Sequence, residues 1–283
     1  MNHRGELAVH RYLQQVVDGK SKMDESVIET VANDIKDALN RQFNGGNRGG
    51  FRYRMSNIGR PSCQLWWEKN HGDKALPKPT TFVMNMMIGD IVEAVFKALL
   101  TQAGVKFQNS EHVTLDLKND RKVTGTYDLI VDGALDDIKS ASDWSYKYKF
   151  ESIDTLKNGD SFGYVGQLAG YAVASDKKIG GWWVVNKANG QFKYVRADNI
   201  DLKEEIEKIE RTIEQANSKE LVRCFEPEPE TFRSKATGNM VLNKNCTFCD
   251  YRSSCWSTLQ ELPAQKSLAK EPKIVQYISL AEV

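Results

Sequence analysis

No run of 18 or more consecutive apolar residues occurs in the chain, so a membrane-spanning helix is not expected. Residues 1–10 lack the apolar core of a secretory signal, and the expectation is a soluble, intracellular protein. Charge of one sign does not predominate either. Thirty-nine Lys and Arg stand against 38 Asp and Glu, a formal net charge of +1, so a nucleic-acid-binding face would have to come from local clusters. No Gly-x-x-x-x-Gly-Lys-(Ser/Thr) loop is present, which removes ATP-driven chemistry by this chain. Histidine is scarce: His3, His10, His71 and His112 offer no partner motif for a catalytic thiol. Internal repeats and low-complexity tracts are absent. Cysteine is limited to Cys63, Cys224, Cys246, Cys249 and Cys255. In a reducing compartment these stay thiols unless they bind metal or do redox chemistry.

What is present is the apolar patterning of a mixed α/β chain. Val27, Ile28, Val31, Ile35 and Leu39 recur at helical steps, and the Gly-rich residues 45–50 break that pattern as a loop. Residues 56–70 predict a short helix entered at Pro61. Residues 80–103 read as a helix with Met84, Met87, Ile88, Ile91, Val92, Val95 and Leu99 on its apolar face. The period then shortens. Residues 105–117, 122–131 and 134–140 predict three strands, the last two joined by a turn at Asp132-Gly133. A polar loop over 142–160 precedes a helix over 161–175. Next come a buried strand over 180–186, a hairpin partner over 191–196 across Asn189-Gly190, and a charged helix over 201–221. Glu226-Pro227-Glu228-Pro229 reads as a stiff spacer, and the tail past Pro263 carries no strong signal.

The most informative stretch is residues 123–140. Gly125-Thr126-Tyr127-Asp128 is followed by Asp137-Ile138-Lys139. Asp137 and Lys139, at i and i+2 on one strand, share a face. With Asp128 leaving the preceding strand, two carboxylates and an ammonium converge. Hard oxygen ligands suit Mg²⁺ or Mn²⁺. Such an ion polarises a phosphate and acidifies water, and a lysine stabilises developing charge. Glu93, polar amid Ile91, Val92 and Val95, is the candidate third carboxylate. Asp-x-Lys alone is also common on solvated strand faces. Asp132 and Asp136 read as turn residues.

Taken in order, these pieces resemble the PD-(D/E)xK nuclease superfamily, in particular its RecB/AddB-type exonuclease branch, which includes CRISPR-adaptation nucleases and phage exonucleases. Gly89-Asp90-Ile91-Val92-Glu93 is similar to a Gly-x-x-x-(His/Glu) helix motif. Gly125 to Asp128 is similar to Gly-x-x-Asp, Asp137 to Lys139 to (Asp/Glu)-x-Lys, and Gln167 to Tyr171 to a Gln-x-x-x-Tyr helix motif. Many relatives carry histidine where this chain has Glu93. The resemblance implies an αβββαβ core with a mixed central sheet flanked by helices. It would have a helical N-terminal extension over 1–50, a nuclease domain over 51–262 and a tail over 263–283. It also implies that Gln167 and Tyr171 contact the DNA backbone or steady the site; otherwise they are a solvated residue and a core residue of an amphipathic helix. A cytoplasmic location follows, that of the host if the gene is phage-borne.

Cys246-x-x-Cys249 with Cys255 needs a fourth ligand, and Cys63 is the candidate. In the resembling branch such a set holds a 4Fe-4S cluster, which would clasp the two ends of the core; four thiolates equally suit Zn²⁺. Cys224 is expected to be free. Candidate DNA contacts are Arg48, Arg52, Arg54 and Arg60, and Trp144, Tyr146, Lys147, Tyr148 and Lys149. The expected function is a metal-dependent DNA exonuclease acting on free or single-stranded ends in recombination or repair, alongside a helicase or recombination partner. The alternatives are a catalytically silent DNA-binding module and a zinc-stabilised interaction protein.

Overall fold

The computed structural model describes residues 3–45 and 49–281. Gly46, Asn47 and Arg48, part of the expected loop and basic cluster, lie outside the described residues. The chain divides into two compact units: residues 1–59 with 79–210, and residues 60–78 with 211–283. Among the described residues no helix is long and apolar enough to cross a membrane.

The first unit contains helices α1 (Arg4–Val17), α2 (Glu25–Leu39), α4 (Thr81–Gln102), α5 (Ile153–Asn158), α6 (Tyr164–Ala174) and the start of α7 (Leu202–Ala216). Its strands are β1 (Phe107–Asn109), β2 (His112–Asp116), β3 (Lys122–Thr126), β4 (Leu129–Val131), β5 (Ala134–Ala141), β6 (Lys178–Asn186) and β7 (Phe192–Arg196). Five of them form one sheet in the order β1-β4-β5-β6-β7. Only the β5–β6 pair in it is parallel, with Asp137 opposite Trp182 and Lys139 opposite Val184. This is the mixed sheet flanked by helices that the resemblance implied. α6 is the crossover connection from β5 toward β6, as a parallel pair requires.

Two expected strands prove to be four. The first leaves the main sheet after Asn109, and its continuation β2 pairs with β3 as a separate hairpin. The second breaks at Tyr127-Asp128, between β3 and β4. The break has a local cause. The Tyr127 N–H donates to the Glu111 carbonyl, and the Asp128 carboxylate accepts the Ile138 N–H at 2.7 Å. A side chain thus takes a donor of the neighbouring strand, and Asp128 stays outside the ladder. The turn at Asp132-Gly133 is as expected, with φ of 51° and 78°, the left-handed geometry of a two-residue hairpin.

Alternation sorts β5 into two faces. Ile138 joins a core with Val9 of α1, Phe96 and Leu100 of α4, and Leu129, Val131, Trp183 and Phe192 of the sheet. α4 buries Met87, Ala94, Phe96, Ala98 and Leu100, whereas Met84 and Val95, expected on its apolar face, are exposed. Phe96 and Leu100 face the sheet core, whereas the small residues Ala94 and Ala98 line a cleft shared with Val27, Val31 and Ala38 of α2. The loop over 142–160 is not irregular. It holds a π-helical turn over Ser145–Lys149 and α5, which opens on a capping box between Ser152 and Thr155.

The second unit holds α3 (Ser62–Asn70), the end of α7 and α8 (Arg252–Cys255). Its sheet comprises β8 (Glu228–Phe232), β9 (Lys235–Val241), β10 (Gln260–Pro263) and β11 (Ile274–Ser279), ordered β10-β11-β9-β8. Pro229, expected in a spacer, lies in β8, an edge strand where its missing N–H is tolerated. β11 lies in the tail that carried no signal, and its Tyr277 is buried and donates to Glu230 at 2.8 Å.

The shared core carries a direct consequence for stability. Leu100 is fully buried within it. Leu100→Ala is expected to cost ~2–5 kcal/mol by loss of transfer energy and formation of a cavity. Urea denaturation of both proteins measures this, and a difference below ~1 kcal/mol would place the core elsewhere.

Candidate active site

β5 delivers Asp137 and Lys139 to the face opposite Ile138. Their side chains form a buried ion pair, with the Lys139 Nζ 2.7 Å from Asp137 Oδ1 and 2.6 Å from Oδ2. Asp128, set free by the break between β3 and β4, faces the same pair. Burial raises the Asp128 pKa well above the usual carboxylate range, and the charges of Asp137 and Glu93 push the same way. Asp137 is also raised, chiefly by burial, against the pull of Lys139 and a hydrogen bond with the Asp128 carboxyl. Burial opposes the Lys139 ammonium, yet Asp137 and Asp128 outweigh it and hold its pKa above the ordinary lysine value.

Glu93 stands on α4, close enough for its charge to act on both aspartates. Its carboxylate pairs with Lys97 at 2.6 Å, and Lys97 also donates to Ser110 at 2.9 Å. Beside Glu93 opens a cleft of about 440 Å³, lined also by Asp34, Asp37, Arg41, Asp90 and Lys97.

The helix motif falls into place from α6. Tyr171 is buried against Gly125: a Cβ at that glycine would stand 2.7 Å from the tyrosine hydroxyl and 2.8 Å from Met55. This close approach is the physical reason for glycine three residues before Asp128. Burial raises the Tyr171 pKa, Asp137 and Asp128 add to the effect, and a hydrogen bond with Gln167 opposes it. Gln167 and Tyr171 thus meet on one face of the helix.

Two neighbours escaped the sequence reading. Tyr164, one turn before Gln167, has its ring 5.3 Å from the Lys139 Nζ. Its i−3 position relative to Gln167 was the available signal. The second is Asp136, expected in a turn but buried within β5. It accepts hydrogen bonds from the Gly181 N–H (2.9 Å), the Trp183 indole (2.9 Å) and the Tyr194 hydroxyl (2.7 Å). Three donors on the sheet's other face satisfy a carboxylate that one residue of register would have placed in the site. Burial nevertheless dominates and pushes its pKa up to about 7.

Among the described residues no three His, Cys, Asp or Glu side chains converge closely enough to hold a metal ion by themselves. Mg²⁺ does not require three, since it is held through one or two carboxylates and keeps several waters. Asp128 and Asp137 fit that demand. Their carboxyls share a hydrogen bond, and the charge of Asp137 raises the Asp128 pKa, a repulsion that a divalent cation would relieve.

The cysteines depart from expectation. Cys224 is not free: it forms a disulfide with Cys63, with Cα atoms 5.8 Å apart. Cys246, Cys249 and Cys255 remain free thiols. α3 and the segment before β8 bring Cys63 and Cys224 together, and the Cys63 N–H donates to the Cys224 sulfur at 3.0 Å. With that sulfur committed, the set Cys63, Cys246, Cys249 and Cys255 does not fit a four-thiolate centre as disposed here. The basic and aromatic candidates are dispersed in their engagement. Arg60 lies 3.9 Å from Glu68, Lys147 pairs with Asp143, and Tyr146 stacks under Lys193. Trp144 and Tyr148 are exposed and pair with each other.

The model of the PD-(D/E)XK nuclease superfamily matches residues 3–256. No curated protein matches. Among solved structures, the crystal structure of SSO0001 is similar at 13% sequence identity and a TM-score of 0.41, covering 66% of this chain and 87% of that one.

The buried Asp136 makes stability depend on pH. Its folded pKa of about 7 lies above the ~3.9 of an unfolded aspartate, so between those values the folded state binds the extra proton. Stability therefore falls as pH rises from ~4 to ~7. Thermal unfolding across that range is expected to show the wild type losing Tm relative to Asp136→Asn as pH rises. Parallel profiles would contradict the assignment.

Proposed function

The protein belongs to the PD-(D/E)XK nuclease superfamily, and from that premise we propose that it is an exonuclease that processes DNA ends in recombination or repair. The observation that carries the reading is the convergence of Asp137 and Lys139, from one face of β5, with Asp128 from the break between β3 and β4. Asp128 and Asp137 would hold Mg²⁺ or Mn²⁺, with Glu93 adding negative charge from α4. When bound, the cation draws charge from the phosphate oxygens and acidifies water.

The chain's own groups do the rest. Lys139 keeps its proton at Nζ, because two carboxylates raise its pKa. It therefore acts as a donor and not as a base: it orients the attacking water and stabilises charge on the phosphate in the transition state. Asp128 is fixed by the Ile138 N–H, so its free oxygen keeps a set direction. Gln167 and Tyr171 remain polar groups beside the two aspartates, with Tyr171 held as the neutral phenol. The arrangement argues against a silent DNA-binding module, which would have no use for a buried lysine between two carboxylates.

The cysteines enter the reading only in the reduced chain. Cys246, Cys249 and Cys255 lie close enough that thiolate charge on the other two raises the Cys246 pKa to about 12, after burial as the main cause. Opening the Cys63–Cys224 bond would supply a fourth sulfur for the 4Fe-4S clasp, or for Zn²⁺, expected from the resemblance.

End-labelled linear DNA and closed circular DNA, incubated with Mg²⁺ or Mn²⁺, test the proposal. Linear DNA is expected to be degraded from its ends and circles to survive; efficient cutting of circles would overturn the exonuclease reading. Iron and zinc analysis of the same anaerobically reduced sample decides the clasp: one cluster or one zinc per chain supports it, and neither metal refutes it.

A further inference from the structure

Between the catalytic strand and α6 runs a ladder of rings that the chemistry above does not use. Phe150 packs on Tyr164 with ring centroids 5.5 Å apart, and Tyr164 stacks on Phe162 at 5.8 Å with planes 15° apart. The Lys149 Nζ lies 4.6 Å from the Tyr164 centroid and 4.7 Å from that of Phe162. At the inner end, Tyr164 touches the catalytic ammonium of Lys139. At the outer end, Phe162 is 52% exposed. The ladder thus runs from the reacting centre to solvent in two ring steps.

The backbone that carries Phe162 is tightly held. Asp160 caps α6 through both oxygens, accepting the Tyr164 N–H at 2.9 Å and the Val165 N–H at 2.8 Å. Gly163, at φ +74°, presses its backbone on Gly59, and a Cβ there would stand 2.2 Å from the Gly59 Cα. Phe162 thus stands on a backbone held on both sides, with its ring toward solvent. Lys149 is equally constrained. It lies on two ring faces and forms no ion pair with a carboxylate among the described residues. A cation lying on two rings, on which Asp160 acts only through space, beside a ring with an open face complements one phosphate and one base.

We propose that Lys149, Phe162 and Tyr164 form a clamp for one unpaired nucleotide of single-stranded DNA, Phe162 stacking on the base and Lys149 binding the adjoining phosphate. Only an unpaired base offers its face to a ring, because in a duplex both faces are covered by neighbours. The clamp therefore selects a frayed or single-stranded end and leads its backbone along Tyr164 toward Lys139. The proposal rests on the nuclease reading for its catalytic consequence, but the binding it asserts is measurable without cleavage.

The test uses the full chain with Phe162→Ala, Lys149→Ala, Phe162→Trp and, as a control, Phe43→Ala, another exposed phenylalanine. Fluorescence anisotropy with Ca²⁺ in place of Mg²⁺ measures the Kd for a labelled single-stranded oligodeoxynucleotide, a blunt duplex and an RNA of the same sequence. Stacking worth ~1–3 kcal/mol corresponds to a rise in Kd of roughly 5- to 150-fold. Phe162→Ala and Lys149→Ala are expected to raise the single-strand Kd at least ~5-fold with little change for the blunt duplex. Phe162→Trp should restore binding, and Phe43→Ala should match the wild type. With Mg²⁺, the loss in kcat/KM on single strands should be carried by KM. Unchanged single-strand binding, or an equal loss on the blunt duplex, would overturn the clamp. Equal binding and equal loss with RNA would overturn its assignment to DNA. A chain that binds as expected but cleaves nothing would refute the nuclease reading and leave the clamp standing.

Discussion

A lysine ammonium buried against an aspartate, with a second aspartate facing both, sets the terms for the first unit. Charges removed from water are tolerated only where partners and geometry are fixed. Here the parallel pairing of β5 and β6 fixes them, with Asp137 beside Trp182 and Lys139 beside Val184. The break between β3 and β4 supplies Asp128, and the Ile138 N–H holds it there. α4 and α6 close the site from either side, the first bringing Glu93 and the second Gln167, Tyr171 and Tyr164. Moving β5 by one residue would exchange Asp137 for Asp136 and reverse every side chain in the site.

Asp136 is the counterpart of that constraint. Two adjacent aspartates occupy opposite faces of one strand, and their surroundings give them different tasks. Asp137 meets an ammonium. Asp136 meets an indole, a phenol and a backbone N–H from β6 and β7. Those three donors tie β5 to its neighbours on the face away from Asp137 and Lys139. The register that presents Asp137 is thereby held by polar contacts as well as by the apolar core around Ile138 and Trp183.

The strand that carries Asp137 and Lys139, its hairpin turn, and helices α4 and α6 were legible in the sequence, because each rests on a local period or on a turn residue with a defined φ. The three-strand reading of residues 105–140 failed for a reason that no local pattern carries: the chain changes partner strands at Ser110-Glu111 and at Tyr127-Asp128, a decision made by tertiary pairing. Asp136 was misread because polar residues beside a turn are usually solvated, and its three donors come from elements more than 40 positions away. The role of Cys224 was hidden for the same reason, since its partner is 161 residues distant. β11 has alternating apolar character too weak to stand out, and its burial depends on β9 and β10.

The account stands or falls on Lys139 and Asp137. Rates of Mg²⁺-dependent cleavage of a linear oligodeoxynucleotide by the wild type, Asp137→Ala and Lys139→Ala test it most directly, with thermal unfolding to establish that each variant is folded. Removal of a single transition-state donor of this kind costs roughly 10²- to 10³-fold. The account predicts a loss of at least that size for each folded variant; cleavage at the wild-type rate by either one would contradict it.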